Sequence, residues 1–308
     1  MNTVVVPYWQ DRPPEEAIAV AENAARFGCS ELWMGELHHF DAFALAGYLA
    51  AATRDLTLCV GPLPVGVRDP VTLARGVASV ARLGSRPARL ALGSANPTIV
   101  EGFHGRSWAD PVSRIEEAVN AVRVLLEGGR YRGYRSALAP QECHITVAGF
   151  GPRVLDLAAR IADRVVFNLV TVEQAARLAR RVVEIATSAG RPVPGLAAWV
   201  VAAVDPGSAT RDQVAAQLAR YLAAPGYRDL LAEAGFGEAV ARARAGEPLG
   251  RIRELLDEPT LSQVVAWGSE DQVRSRLDAY REVGVEPAVL PATADDPGGL
   301  RTLRALAI

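Results

Sequence analysis

The chain has 308 residues, half of them hydrophobic, and its 33 Lys and Arg residues nearly balance 35 Asp and Glu residues. Such a length buries a large core, and the balanced charge argues against a nucleic-acid surface or a polybasic membrane patch. Residues 1–7 lack the basic region of a signal peptide, and charged residues or glycine interrupt the apolar stretches well before about 18 residues. We therefore expect a cytoplasmic protein with no membrane or nucleic-acid partner.

Short β-branched runs alternate with longer stretches of helical periodicity, which is typical of βαβ units in a parallel sheet. The predicted strands are 3–7, 31–34, 56–60, 89–93, 144–148, 164–167, 197–204 and 287–290. The predicted helices begin near positions 13, 41, 70, 111, 152, 171, 210, 270 and 299, and the one from 210 is the longest, reaching about 256. Residues 131–141 are predicted to be an irregular excursion.

Eight strand–helix alternations without a Pro/Gly/Ser linker predict a single (β/α)₈ TIM-barrel domain over residues 1–308. The alternative, a doubly wound dinucleotide-binding sheet, predicts a glycine-rich loop after the first strand. That loop, residues 8–13, contains no glycine. The barrel is therefore the expected fold.

The active site of such a barrel forms from the loops that follow the strands. His38 and His39, two of four histidines in the chain, follow the second strand. Imidazole transfers protons near neutral pH, so both residues are catalytic candidates. The alternative is that one of them caps a helix or packs in the core.

Two further loops carry groups suited to a ligand. Val60, Gly61 and Pro62 end the third strand, where glycine allows close approach of the backbone to a flat ring; the alternative is an ordinary turn. Ser94 and Asn96 follow the fourth strand as candidates for hydrogen bonds to a ligand, or as a helix cap.

The fifth strand is followed by Gly149, Phe150, Gly151 and Pro152, which open a helix directly. Free backbone N–H groups at a helix start bind anions, and Asn168 ends the neighbouring sixth strand. We expect a phosphate there, although glycines at such a turn also serve backbone geometry alone.

Other chemistries are disfavoured. Histidines and cysteines show no metal-ligand spacing, so no metal is expected, and neither a GxSxG elbow nor a P-loop is present. Cys29, Cys59 and Cys143 lie far apart and are predicted to be buried thiols of a reducing compartment.

Several segments, in matching order over nearly the whole chain, resemble the bacterial luciferase-like flavin-dependent oxidoreductases. Some resemble the branch that uses the deazaflavin coenzyme F420. The segments are 31–40, 61–70, 92–105, 147–152 with 161–164, 267–273 and 279–285. The resemblance implies a barrel with inserted segments, a homodimer, and a cofactor whose ring lies across the strand ends.

The resemblance also implies roles for individual residues. The cofactor phosphate would lie at Gly149, Phe150, Gly151 and Asn168. A cis peptide at Val60–Gly61 or Gly61–Pro62 would lie behind the ring. His38 or His39 would be nearest the reacting carbon.

Three functions follow as hypotheses. The first is hydride transfer between coenzyme F420 and an unidentified organic small-molecule substrate. The second is an FMN-dependent monooxygenase, which needs oxygen and a flavin reductase as partner. The third, favoured by Phe150 and Asn96, is a degenerate flavin-binding barrel without catalysis. In each, Tyr8, Trp9, Phe40, Phe103 and the excursion at 131–140 would form an apolar wall of the substrate pocket.

Overall fold

Residues 3–53 and 56–307 are described by the computed structural model, and nine strands within them form one parallel sheet. They are β1 (Thr3–Val6), β2 (Glu31–Met34), β3 (Thr57–Pro64), β4 (Arg89–Gly93), β5 (Ile145–Ala148), β6 (Arg164–Asn168), β7 (Gly195–Val204), β8 (Val265–Gly268) and β9 (Glu286–Pro291). Most are short runs rich in Val, Ile, Leu and Ala and almost wholly buried, as expected for a parallel sheet covered on both faces.

Eight of the strands close into a barrel, so the predicted (β/α)₈ fold is confirmed. β1 to β7 pair in sequence order, β7 pairs with β9, and β9 returns to β1 through Val4 and Val289. The additional strand β8 was not predicted. β8 pairs with Val201 to Val204 at the end of β7. It lies on the same edge of β7 as β6, which pairs nearer the start of that strand.

Helices flank the strands. They are α1 (Glu16–Arg26), α2 (Ala42–Ala52), α3 (Pro70–Leu83), α4 (Pro111–Leu126), α5 (Pro152–Ile161), α6 (Val172–Ser188), α7 (Ser208–Ala219), α8 (Tyr227–Leu231), α9 (Gly237–Arg244), α10 (Leu249–Arg253), α11 (Glu258–Leu261), α12 (Glu270–Glu282) and α13 (Leu300–Leu306). The predicted caps are present: Asp41 accepts from Ala44 N, and Asp69 accepts from Val71 N and Thr72 N.

The predicted long helix from 210 to about 256 is wrong. The region is divided into α7 to α10, with a π-helical turn at Ala232–Phe236 between α8 and α9. Pro225 with Gly226 separates α7 from α8, and Gly246 with Pro248 separates α9 from α10, because proline cannot continue a helix and glycine adopts the left-handed conformation. These helices form an insertion, residues 205–264, between β7 and β8.

The interior of the barrel contains a charged cluster at the start of three strands. The Glu31 carboxylate of β2 accepts two hydrogen bonds from Arg164 of β6, at 2.6 and 3.1 Å, and a further one from Arg89 of β4. The Glu31 side chain is 8% exposed, and the Arg164 guanidinium lies 4.2 Å from the Trp33 ring centroid. These ion pairs therefore link the alternate strands β2, β4 and β6 at the end of the apolar core.

All three cysteines are free thiols. Cys29 and Cys59 are buried as predicted, and burial raises the pKa of Cys29 to about 11. Cys143 is only half-buried, because it lies in the connection that precedes β5 rather than in a strand. Along the described ranges, we find no helix long and apolar enough to cross a bilayer.

Candidate active site

A cavity of about 350 Å³ opens at the carboxyl ends of the barrel strands. Eight of the predicted site residues contribute to its lining: Tyr8, Pro62, Ser94, Asn96, Gly149, Phe150, Gly151 and Asn168. They follow or end β1, β3, β4, β5 and β6. The cavity size is within the range of ligand-binding pockets, and its position is that of barrel active sites.

The third strand carries a bulge that faces this cavity. The β3–β4 register shifts between Val60 and Leu63, and the Gly61–Pro62 peptide is cis, one of the two bonds anticipated. Gly61 has φ +122°, and a Cβ there would lie 2.1 Å from the Ala91 carbonyl oxygen. Glycine is therefore required at this position, and Pro62 rather than Val60 or Gly61 lines the cavity.

The loop after β5 has the features of an anion site. Gly151 is the N-cap of α5, it offers no side-chain cap, and Pro152 is the first helical residue. The backbone N–H groups of this first turn are thus left for an external acceptor. The Gly149 backbone packs so close to Val154 that an added Cβ would be 2.5 Å from its Cγ1. Arg153, in the same turn, is exposed and adds positive charge.

Asn168 ends β6 beside this loop. Its amide nitrogen donates a hydrogen bond to the Tyr227 hydroxyl at 3.0 Å. The Phe150 ring packs edge-on against Tyr227, with ring centroids 4.9 Å apart. The insertion between β7 and β8 therefore meets the predicted phosphate loop directly.

Asn96 has the capping role that was the alternative for this loop. Its side-chain oxygen accepts from Ile99 N at 3.1 Å, at the start of the π-helical turn Thr98–Phe103. The Ser94 carbonyl accepts from the Trp108 indole N–H at 3.0 Å. Both Ser94 and Asn96 nevertheless line the cavity.

The two histidines lie at the rim and not in the lining. His38 is exposed, and its ring centroid is 5.6 Å from that of Phe103, which is itself 55% exposed. Partial burial, followed by the charges of Arg220 and His39, lowers the pKa of His38. His39 is half-buried, and its Nδ1 has no hydrogen-bond partner in the described part of the chain.

Four predicted parts of the pocket wall lie outside the lining, and one of them is the exposed Phe103. Trp9 is buried, and its indole N–H donates to the Pro291 carbonyl at 2.9 Å. Phe40 packs against the core outside the cavity lining. The excursion at 131–140 connects α4 to β5 and packs along α4, where Tyr131 and Arg132 bond to Glu117, and it contributes nothing to the cavity lining.

Sequence reasoning missed several residues that the cavity contains. Glu36 lines it and accepts two hydrogen bonds from Arg68, at 2.6 and 2.9 Å. Arg68 also pairs with Asp41. Glu36 stands immediately after a strand, between Trp33 and the histidine pair, and this position was the signal that could have identified it.

Three other missed residues, Trp199, Tyr221 and Tyr227, form an aromatic wall together with the predicted Tyr8, and we define the aromatic wall as these four residues. Trp199 comes from β7, and Tyr221 and Tyr227 come from the insertion. Ring centroids are 6.2 Å apart for Tyr8 and Trp199, and 4.9 Å apart for Tyr221 and Tyr227. Trp199 belongs to the hydrophobic core, yet it borders the cavity, and its buried indole N–H has no partner among the described residues.

No group of three or more His, Cys, Asp or Glu side chains within 3–53 and 56–307 is arranged to hold a metal ion. The cavity thus combines a bulged strand, a helix amino terminus and aromatic surface. Such a site can hold a flat ring carrying a phosphate next to a small substrate.

Comparison with known proteins supports this interpretation. The profile of the luciferase-like monooxygenase family matches residues 4–287. A Mycobacterium tuberculosis protein provisionally named a coenzyme F420-dependent oxidoreductase is 26% identical over 51% of this chain and 52% of its own length. The 5,10-methylenetetrahydromethanopterin reductase of Methanolobus tindarius is 22% identical over 87% of each chain. The chain spans about half the length of the first two curated relatives that it matches.

Solved structures share the fold. A coenzyme F420-dependent tetrahydromethanopterin reductase from Methanopyrus kandleri superposes with a TM-score of 0.79 at 18% identity, covering 100% of this chain and 98% of that one. The FMN-bound oxygenating constituent of 3,6-diketocamphane monooxygenase from Pseudomonas putida superposes with a TM-score of 0.71 at 15% identity, covering 99% and 96%.

Proposed function

Because the chain belongs to the luciferase-like monooxygenase family, we propose that it is an oxidoreductase that binds coenzyme F420 at the strand ends and exchanges a hydride with a small organic substrate. A relative named for F420 dependence, aligned over 51% of the chain, favours the deazaflavin over FMN. FMN remains the competing cofactor, because a neighbour of similar fold is bound to it.

One observation carries the proposal. A single cavity reaches both the β3 bulge at Pro62 and the uncapped start of α5 at Gly151. FMN and coenzyme F420 need these two features together, since the ring of each is apolar on its faces and the side chain of each carries a phosphate. Glycine is required at 61 and 149, because a Cβ would clash with the Ala91 carbonyl or with the Val154 side chain, and it fixes the backbone of both turns. The apolar Pro62 and the uncapped N–H groups at the start of α5 are what the ring and the phosphate require, so the residues present fit the group.

In the proposed mechanism, bound deazaflavin supplies a ring carbon that accepts or donates a hydride. The chain itself binds and orients. The bulge at Pro62 supports the ring, the first turn of α5 with Arg153 holds the phosphate, and the aromatic wall excludes water from the reacting carbon. His38 and His39, at the rim, exchange the proton that accompanies the hydride.

The cofactor assignment is tested by titrating the purified protein separately with F420 and FMN, followed by absorbance and fluorescence. We expect F420 to bind more tightly. Arg153→Glu should weaken binding about tenfold by repelling the phosphate, an effect of the size expected for partly exposed charges. It should leave binding of a dephosphorylated deazaflavin unchanged.

The control is Arg180→Glu, because Arg180 is exposed on α6 and does not line the cavity. This substitution should change neither the affinity for F420 nor the affinity for FMN. Tighter binding of FMN than of F420 would overturn the deazaflavin assignment. Absence of binding by both would favour the degenerate barrel.

The histidine roles are tested by His38→Ala and His39→Ala. Loss of the proton-transferring residue should lower kcat by about 10²-fold or more, while cofactor affinity is kept. His144→Ala, exposed in the connection before β5 at the opposite end of the barrel, is the control. Unchanged turnover in either rim variant removes that histidine from the mechanism.

The lowered pKa of His38 also predicts how kcat depends on pH. With a pKa below its ordinary value near 6.5, His38 is neutral at pH 7 and accepts a proton, but donates one only below that pKa. If His38 is the group, substrate oxidation should be fast at neutral pH and slow as pH falls through its pKa. Substrate reduction should show the opposite trend in the pH profile of kcat.

A further inference from the structure

The cavity offers almost no formal charge to a substrate. Of the described residues that line it, only Glu36 carries a charged side chain, and Arg68 neutralises that carboxylate through two hydrogen bonds. Transferring an ion from water into such a site is costly without a fixed partner of opposite charge. The pairing of Glu36 with Arg68 therefore disfavours anionic and cationic substrates alike.

Phenol hydroxyls are the polar groups that remain on the aromatic wall. Tyr8 and Tyr221 both line the cavity, and their hydroxyls are near enough to influence each other's pKa. Burial is the main cause that raises the pKa of both hydroxyls. They consequently stay protonated at physiological pH and present neutral donors and acceptors to a ligand.

Barrel topology sets this wall opposite the proposed ring site. In the closed order of eight strands, β7, which carries Trp199, is four strands from β3, which carries Pro62. Four strands are half of the circumference. A ring supported by Pro62 thus presents its other face to Tyr8, Trp199 and Tyr221, and the substrate lies between them.

Resting on the F420 assignment for the position of the ring, we propose that the substrate is an uncharged molecule with an apolar or aromatic body and one alcohol or carbonyl oxygen. That oxygen hydrogen-bonds to the hydroxyl pair of Tyr8 and Tyr221. Tyr8 and Tyr221 are then the residues that determine specificity, and the rings of the wall contact the apolar body.

Four probes that share one benzene ring test the proposal: benzyl alcohol, toluene, 4-(hydroxymethyl)benzoate and 4-(hydroxymethyl)phenyltrimethylammonium. Binding is measured by ligand-observed NMR to the protein loaded with its cofactor, and to the protein alone. We expect benzyl alcohol to bind about tenfold more tightly than either ion, because an ion without a partner must be desolvated. Toluene should bind more weakly than benzyl alcohol.

Variants that lack one tyrosine hydroxyl test the hydrogen-bonding role directly. Tyr8→Phe and Tyr221→Phe should each weaken benzyl alcohol about fivefold, the effect of one neutral hydrogen bond, and leave toluene unchanged. Tyr48→Phe, an exposed tyrosine of α2, should alter neither affinity. An equal loss for toluene would show a packing effect and overturn the hydrogen-bonding role.

The charged probes separate the remaining outcomes. If the benzoate or the ammonium probe binds most tightly, the proposal of an uncharged substrate is overturned. Tightest binding of the ammonium probe would indicate instead that the aromatic faces recognise a cation. Failure of the F420 assignment appears separately, as absence of cofactor binding in the titration. In that case the order of the four probes on the protein alone still decides this inference.

Discussion

Replacing Glu31 with alanine should lower the free energy of unfolding by about 3–5 kcal/mol, the usual cost of removing one partner from a buried ion pair. The Glu31 carboxylate is the shared acceptor for Arg164 and Arg89. Without it, two guanidinium groups inside the barrel lose their counter-charge and repel each other. Denaturant unfolding, followed by tryptophan fluorescence and circular dichroism, measures the change.

Glu184→Ala is the matched control for this substitution. Glu184 pairs with Arg181 on α6, where both side chains are more than 60% exposed. Such a pair contributes about 0.5 kcal/mol or less. A loss below about 1 kcal/mol for Glu31→Ala would show that water or rearranged neighbours compensate the two arginines, against the expectation for a buried pair.

Replacing Gly61 with alanine is expected to reduce stability and cofactor binding together. An added Cβ would lie 2.1 Å from the Ala91 carbonyl oxygen and 2.8 Å from Leu63 N, both of them backbone atoms. The left-handed φ of +122° adds strain for any residue with a Cβ. Together these should cost about 3 kcal/mol or more, since β4 or the bulge must move.

Displacement of the bulge also displaces Pro62, so cofactor affinity should fall at least about tenfold, a cost of about 1.4 kcal/mol in binding. Gly250→Ala is the control, because a Cβ in α10 meets no atom within 4 Å. It should be neutral or slightly stabilising, since alanine favours the helix. Wild-type affinity in a folded Gly61→Ala protein would contradict the role of the bulge.

The barrel strands were predictable because the pattern of apolar runs and the few topologies available to it indicate the same strands. Eight apolar runs separated by helical stretches admit few parallel topologies, and all eight became barrel strands. β8 was missed because it is short and follows a region interpreted as continuous helix. Periodicity alone does not locate the turns within such a region.

The site was predictable where it depends on strand ends. Pro62, Asn96, Gly149 and Asn168 follow or end their strands, and topology brings them to one cavity. Tyr221 and Tyr227 were not predictable in this way. They lie about twenty residues beyond the end of β7, and only the tertiary packing of the insertion returns them to the cavity.

Two misplacements have simple physical causes. The excursion at 131–140 follows a helix and not a strand, so its chain position disfavours a place in the site, and it packs along α4 instead. Trp9 follows a strand, but its direction depends on a hydrogen bond to Pro291, 282 positions away, which no local pattern reveals.

The insertion at 205–264 lies outside the closed ring of strands, because β9 pairs with β7 and β1 without it. It nevertheless supplies Tyr221 and Tyr227 to the cavity. Changes of length in a loop cost little free energy of closure, so this segment tolerates replacement better than any barrel strand. Replacing this segment would therefore change the side of the cavity formed by Tyr221 and Tyr227 and leave the lining residues of the barrel strands in place.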